Sequence, residues 1–433
     1  MTNELIILII WVIEPKFGRN YNMDAKLMIH SLKNGIVPKS SVDSILVSRE
    51  AEIIELQRNL DLVAEGNGSM KFISGDYGVG KSFLLQHVHN MATRQNFIVS
   101  RLQLNHSFTL NKWDELYYQF MHNLSIESVT ITEKGFEEIF NQWIKKLQSY
   151  EDSTLASKEI YEVTQVISQY HGDFARVFIS FIRAKIQKDI ELMDATSSWI
   201  KGEKNMPQSL KTKFGIKGHV DRNNALDFLK AFIKLSTLLG YQGIILLIDE
   251  LETALHVRSD IRQVIYENLR FLFDSCISGE IHNCMFLLVG TNELLQNSER
   301  GIPTYEPLAQ RLRITASSLN NGFTDVQPVI HLKSMQPEDL TTLTAKILVI
   351  YEEANDWKSP FHYETIRNWV LFSCREGNEL KFPMNIRVYI QKLIDILDIL
   401  AQGKELPLLR VPLQLVHFNG RYSFVNKKSE VTN

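Results

Sequence analysis

Cysteine is nearly absent from this sequence: Cys276, Cys284 and Cys374 are the only three in 433 residues, and no C-x-x-C spacing occurs. That excludes a disulfide framework and a thiolate zinc site, and it fits reduced thiols in a cytoplasmic protein. A membrane-length apolar run is missing too. Leu5–Ile13 is apolar over nine residues, against the ~20 that a spanning helix needs. Glu4 ahead of it and Glu14-Pro15-Lys16 behind it do not suit a signal peptide. The run reads as a packed strand or as an extension ahead of Met23, with no membrane association expected. Nor is there an excess of positive charge: 47 Lys and Arg stand against 50 Asp and Glu, a formal net charge of -3. A globally basic nucleic-acid binder is thereby disfavoured, whereas a local basic patch is not. The twelve histidines include no H-E-x-x-H pair, and there is no G-x-S-x-G elbow, fixed-period repeat or low-complexity tract. No metal other than Mg²⁺ is expected.

What is present is ordinary for a globular chain with a substantial core, 44% hydrophobic and 22% charged. Residues 24–36 have helical spacing up to Val37-Pro38. In the next periodic segment Ile53, Ile54, Leu56, Leu60 and Val63 form one helical stripe that Gly66 ends. A short apolar strand, Met70–Ser74, leads into Gly75-Asp76-Tyr77-Gly78-Val79-Gly80-Lys81-Ser82. A helix over Phe83–Met91 and a strand over Phe97–Leu104 follow. This is a P-loop in its expected context. Glycines let the backbone wrap phosphate oxygens, and successive N–H groups with the helix N-terminus bind the charge. Lys81 is suited to the β- and γ-phosphates, Ser82 to Mg²⁺, and Phe83 closes the nucleotide-binding set.

The wholly apolar strand Ile244–Ile248 runs into Asp249-Glu250. A strand-end acid is costly to bury unless it faces a site. Asp249 suits Mg²⁺ and Glu250 suits the base that polarises an attacking water. Glu252 and Thr253 belong to the same loop. A helix over roughly 258–276 and a strand at Met285–Gly290 come next, ending in Thr291-Asn292-Glu293. In additional-strand ATPases such a position lies between two acid-bearing strands and holds the attacking water, a task for Thr291 or Asn292. In Glu306-Pro-Leu-Ala-Gln310-Arg311-Leu-Arg313, Arg311 is the candidate finger toward a neighbouring subunit, with Arg313 next. Arg387, at the start of the last long helix, is the candidate γ-phosphate contact from a lid.

The expected plan is α/β: a P-loop core with a parallel sheet, a long helical insertion and a C-terminal helical lid. Residues 1–22 form an N-terminal extension, 23–105 the first part of the ATPase core and 106–240 a mainly helical insertion. Residues 241–330 form the second part of the core, and 331–433 the lid (helices at 337–354 and 387–401) with a hairpin around Asn419-Gly420. Aromatics in the insertion (Trp113, Tyr117, Tyr118, Phe136, Phe140, Trp143, Tyr161 and Phe174) read as helix core. Its segment 199–222 carries six Lys/Arg against two acids and reads as a solvated loop or as a phosphate or DNA contact through Lys201, Lys204, Lys211, Lys213 and Lys217.

In this order of elements the chain resembles the AAA+ class, in its branch of origin-recognition and Cdc6-type ATPases. Val47-Ser48-Arg49-Glu50 stands where that branch has an adenine-side G-R-E segment, with Arg49 matching and Ser48 replacing the glycine. More narrowly, MIHSLKNGIVP, GDYGVGKSF, the segment from WIKGEKNMPQ to LKAF, GYQGIILLIDELE, GTNELL and YEPLAQRL resemble BREX-system ATP-binding proteins of the BrxD type over residues 25–402. That resemblance implies ATP and Mg²⁺ as ligands, ATPase activity of modest turnover, a homo-oligomer, and a helicase or DNA partner in phage defence. No winged-helix pattern is read in the residues after the lid, and autonomous sequence-specific DNA binding is therefore not expected. Two functions remain open: an ATP-driven switch or loader, and a STAND-like signalling scaffold with slow hydrolysis. A small-molecule kinase needs neither the Asp249-Glu250 pair nor an arginine such as Arg311.

Overall fold

The protein is described here from a computed structural model covering residues 21–39, 41–127, 135–203, 208–213, 218–314, 327–375, 384–404, 413–418 and 421–426. The apolar run Leu5–Ile13, Lys204, Lys217 and the turn residues Asn419-Gly420 lie outside these. The chain divides into two compact units. One comprises Arg49–Tyr77 and Leu84–Lys333, the other Met1–Ser48, Gly78–Phe83 and Ser334–Asn433.

The first unit is built on a six-stranded sheet. Its strands are β1 (Gly68–Ser74), β2 (Ile98–Gln103), β3 (Leu124–Ser125), β4 (Ile244–Asp249), β5 (Cys284–Gly290) and β6 (Val329–His331), in the order β3-β2-β4-β5-β1-β6. All pairings are parallel except that of the edge strand β3 with β2. Every residue of β4 and β5 is buried, which is why they read as unbroken apolar runs: strands of this kind are covered on both faces. Register brings Ser74 opposite both Gly290 and His331, and Gln103 opposite Asp249, so the carboxyl ends of five strands share one edge. One expectation is corrected by this order. β5 lies between β1 and β4, and of those two only β4 ends in an acid. The inserted β5 and the glycine loop after β1 together make an additional-strand P-loop core.

Helix α1 (Tyr21–Lys33) precedes α2 (Glu50–Ala64), which lies on β1. Ile54, expected on the apolar stripe of α2, is 53% exposed, and Glu55 takes the inward place. Glu55 meets Lys71 of β1 at 2.6 Å, Lys71 also donates to the Gln327 carbonyl at 2.9 Å, and Asn59 accepts from Ser69 at 2.7 Å. This polar ladder is buried and paired.

After β1, α3 (Lys81–Arg94) leads to β2. The insertion then runs as α4 (Trp113–His122), α5 (Phe136–Ile139), α6 (Asn141–Gln148), α7 (Ser153–Ser168), α8 (Gly172–Gln187), α9 (Ile190–Ile200), α10 (Gln208–Lys213) and α11 (Ala225–Leu238). Phe120, Phe136, Phe140, Phe181 and Phe232 pack ring against ring in its core. The aromatic reading fails at two of its members: Tyr118 and Tyr161 are exposed. A 3-10 turn (Leu251–His256) and α12 (Ser259–Ile277) link β4 to β5, and α13 (Asn292–Gln296) and α14 (Glu306–Arg311) follow it.

In the second unit α15 (Pro337–Asn355), α16 (Tyr363–Ser373) and α17 (Ile386–Ala401) surround an apolar core with α1. In α17, Ile386, Tyr389, Ile390, Leu393, Ile394 and Leu397 are buried at spacings of three and four, as one apolar helix face requires. Residues 24–48, grouped with the sheet in the expected plan, pack instead with these helices. Strands β7 (Leu413–Phe418) and β8 (Arg421–Asn426) pair antiparallel as the expected hairpin.

Candidate functional site

The sheet edge that collects the strand ends carries most of the chemistry. After the end of β1 at Ser74, Gly75-Asp76-Tyr77 enter a turn and Gly78–Ser82 complete the motif. Gly78 (φ 80) and Gly80 (φ 100) hold left-handed backbone that favours glycine. At Gly78 space forbids a side chain too. An added Cβ would come within 2.5 Å of the Asn385 side chain, and the Gly78 carbonyl accepts the Ile386 N–H at 3.0 Å. Around Gly80 no atom of the described residues would lie within 4 Å of such a Cβ. Helix α3 opens at Lys81 and has no acidic residue in its first turn, so its N-terminal partial charge is not offset by its own sequence. Val79 is buried, and Tyr77 is 67% exposed.

Two residues of the loop touch the segments that follow β4 and β5. The Tyr77 phenol is hydrogen-bonded to Glu252, and burial followed by the negative charges of Glu252, Glu250 and Glu293 raises its pKa. Asp76 accepts from Asn292 Nδ2 at 2.8 Å. The segments that follow β4 and β5 therefore touch Tyr77 and Asp76 of the loop.

Asp249 is 8% exposed at the end of β4. Its Oδ1 accepts the Glu250 N–H at 3.0 Å, and Arg101 stands 3.5 Å from Oδ2. Glu250 sits at φ 63, ψ 39, a left-handed conformation that is uncommon for a residue with a Cβ. Thr253 secures it: its N–H and its hydroxyl both donate to the Glu250 carbonyl, at 3.0 and 2.8 Å. Backbone strain of this kind collects at functional sites, where the surroundings hold it in place.

Thr291 and Asn292 differ. Thr291 is 4% exposed, and its hydroxyl has no hydrogen-bond partner among the described residues. Asn292 bridges Asp76 and Ser74, whose hydroxyl donates to Asn292 Oδ1 at 3.1 Å; Ser74 in turn meets His331 Nδ1 at 2.6 Å. Sequence reasoning missed Ser74 and His331. A serine before a P-loop and a histidine ending a three-residue edge strand carry no local pattern.

Arg311 and Arg49 are engaged within the chain. Arg311, at the end of α14, holds Asp274 through Nε and through Nη2 at 3.0 Å and donates from Nη1 to the Pro307 carbonyl at 2.7 Å. The hydrogen bond to Asp274 raises its pKa. Arg270 shares Asp274 at 3.2 Å. Arg49 is 5% exposed and donates to the Lys333 carbonyl at 2.8 Å, with Glu52 3.5 Å away. Ser48, the glycine replacement, keeps a left-handed backbone (φ 54) and donates its hydroxyl to Asp339. Arg387 is exposed on α17, its N–H donated to the N-cap Asn385 at 3.0 Å. In the basic segment, Lys201 lies 3.6 Å from Glu137, and Lys211 is partly exposed on α10.

Among the described residues no cluster of three or more His, Cys, Asp or Glu is placed to hold a metal ion. A cation here depends on few protein ligands and on its partner's oxygens. The buried Asp249 carboxylate is a hard oxygen donor of the kind Mg²⁺ takes, and Mg²⁺ commonly binds through one or two such groups plus phosphate oxygens. That donor fits. No helix among the described residues is long and apolar enough to cross a membrane.

The family model described as BREX system ATP-binding protein BrxC/D matches residues 22–411. No curated protein matches the chain. Solved structures that match include domain III of the Thermotoga maritima replication initiation protein DnaA, at 13% identity and a TM-score of 0.36 over 86% of this chain and 93% of that one. Another is the Aeropyrum pernix ORC2 protein in its ADPNP-ADP complexes, at 14% identity and a TM-score of 0.39 over 83% of this chain and 65% of that one. At these scores neither carries an argument about the site.

Proposed function

The chain belongs to the BREX system ATP-binding protein BrxC/D family, and from that premise we propose that it hydrolyses the ATP it binds and uses the cycle as a switch or loader. The observation that carries this reading is the contact of the P-loop with the segments that follow β4 and β5: Tyr77 with Glu252 and Asp76 with Asn292. Hydrolysis would give Glu250, on left-handed backbone in the segment that Tyr77 touches, a task that nucleotide binding alone would not.

In this reading the amides of Gly75–Gly80 cradle the phosphates, and Lys81 neutralises the β- and γ-oxygens. Ser82 and Asp249 would hold Mg²⁺, which would supply positive charge against the phosphates. Glu250 takes the proton of the attacking water, and Thr291 and Asn292 orient that water. Arg49 lies on the adenine side, and Arg387 serves the γ-phosphate from the lid. Arg311 acts on a neighbouring copy of the chain, which requires it to leave or share Asp274. The family's place in the BREX system supports a DNA-bound or helicase partner and a role in phage defence. Lys201, Lys204, Lys211, Lys213 and Lys217 offer a DNA contact, although Lys201 is already partnered by Glu137. The alternative, a nucleotide-gated scaffold with slow hydrolysis, is favoured by the Arg311–Asp274 ion pair, which keeps the finger occupied.

Phosphate release by the parent and by Glu250→Gln, with and without duplex or single-stranded DNA, tests the proposal. Glu250→Gln is expected to bind ATP normally and to lose about 10²–10⁴-fold in turnover, the usual worth of a general base. Lys81→Ala is expected to lose nucleotide binding. Undiminished turnover in Glu250→Gln removes Glu250 from the mechanism, and very slow turnover in the parent, unaffected by DNA, selects the latch.

A further inference from the structure

Four polar side chains run along the sheet edge in one hydrogen-bonded file: Asp76 in the loop, Asn292 after β5, Ser74 at the end of β1 and His331 at the end of β6. Their spacing follows from register, since Ser74 is paired with Gly290 on one side and His331 on the other. Ser74 is 2% exposed, so its hydroxyl cannot turn to water for a partner.

The donors and acceptors in this file fix one another. A carboxylate only accepts, so the Asn292 NH₂ must face Asp76 and its oxygen must face Ser74. A serine hydroxyl has one proton. Given to Asn292 Oδ1, it leaves only lone pairs for the histidine, so Nδ1 of His331 must carry the proton of that 2.6 Å contact. With the proton on Nε2 instead, Nδ1 would take the Ser74 proton. The Ser74 oxygen would then face Asn292 Oδ1, acceptor against acceptor. Turning the carboxamide to relieve that clash would put its oxygen against Asp76, with the same conflict one step on.

We infer that Ser74 and His331 are positioning residues: the Nδ1–H of His331, relayed through Ser74, holds the Asn292 carboxamide in the one orientation that ties Asp76 of the P-loop to the end of β5. The inference rests on the reading of Asn292 as a water-orienting group only for its effect on turnover. The brace itself exists whether or not ATP is split. Neither residue touches nucleotide in this account, so loss of the brace acts on turnover more than on affinity.

The test uses the full chain and four variants: His331→Ala, His331→Asn, Ser74→Ala and Asn292→Ala. Asparagine places an N–H donor where Nδ1–H stood, so it restores the relay where alanine cannot. Hydrogen exchange over residues 75–81 of the nucleotide-free protein is expected to quicken in His331→Ala, Ser74→Ala and Asn292→Ala and to return to the parent rate in His331→Asn. In ¹⁵N-histidine spectra, the signal lost in His331→Asn is expected to show the neutral Nδ1–H tautomer. Turnover is expected to fall about tenfold or more in His331→Ala, the range seen when a group supporting an active-site residue is removed, with a smaller change in KM and recovery in His331→Asn. An Nε2–H tautomer, or exchange in His331→Ala equal to that of the parent, overturns the inference, as does failure of His331→Asn to recover. A parent chain that splits no ATP refutes the proposed function instead, and the exchange and tautomer measurements still decide the brace.

Discussion

Two polar regions flank the P-loop strand, and they are built on opposite terms. Between α2 and β1, Glu55, Lys71, Asn59 and Ser69 are all buried and are partnered at 2.6–3.0 Å. Nothing in that ladder is strained. At the carboxyl edge of the sheet, Glu250 is held in left-handed backbone and the buried Thr291 hydroxyl has no partner among the described residues. A closed polar network costs little once made and a great deal to open. An edge with strain and unused valence is worth keeping only if a ligand completes it. The difference separates groups that satisfy one another within the fold from groups left with backbone strain or an unused hydrogen bond, though both kinds are charged or polar.

Lys71→Ala should break the closed side with the largest effect. Removing one partner of a buried ion pair leaves the other charge uncompensated, which costs about 3–5 kcal/mol. Thermal or urea unfolding should show that loss, while turnover per folded molecule stays near the parent value. The double variant Glu55→Leu with Lys71→Met should recover most of the stability, since a well-packed apolar pair often matches a buried ion pair. A Lys71→Ala loss below 1 kcal/mol would mean that water reaches the ladder.

Acid should sharpen the contrast from the other side. Burial lowers the His331 pKa from 6.5 to about 4. The unfolded chain therefore binds a proton that the folded chain refuses between those values, and stability falls as pH drops from 6.5 toward 4. The full shift corresponds to about 3 kcal/mol, and solvent around a half-buried ring screens it to less. Burial also lowers the pKa of His171, in the insertion, and adds to the same slope. His331→Asn should flatten the pH dependence of the unfolding midpoint without abolishing it. An unchanged slope would show that His331 is charged or solvated in the folded protein.

How much of this was legible in the sequence follows the same divide. The unbroken apolar runs of β4 and β5, the glycines at 78 and 80 and the acids at 249 and 250 are local signals, and each stands where it was read. What was illegible is set by distant partners. Val329–His331 is too short to show a strand period, and it exists because β1 offers it an edge. Lys71 looks like a flaw in an apolar strand until Glu55, sixteen residues earlier, is brought against it. Arg311 reads as a free finger, but Asp274, thirty-seven residues away, already holds it. Ser48 was the reverse case, a visible departure from glycine whose meaning needed the fold: it keeps the left-handed backbone and adds a bond to Asp339.

The smallest effect concerns strain alone. Glu250→Gly and Glu250→Ala both remove the carboxylate, so the two should lose turnover alike. They differ only at the backbone. Alanine keeps the cost of a Cβ in left-handed conformation, about 1–2 kcal/mol, and glycine does not. Glycine gives back about 0.5–1 kcal/mol through its freer unfolded chain. The glycine variant should thus unfold later than the alanine variant by about 0.5–1 kcal/mol, a difference that contact with any substrate cannot explain. If the glycine variant instead unfolds earlier than the alanine variant by about 0.5–1 kcal/mol, the conformation at 250 carries no strain, and the open edge differs from the closed ladder in its unused hydrogen-bonding groups alone.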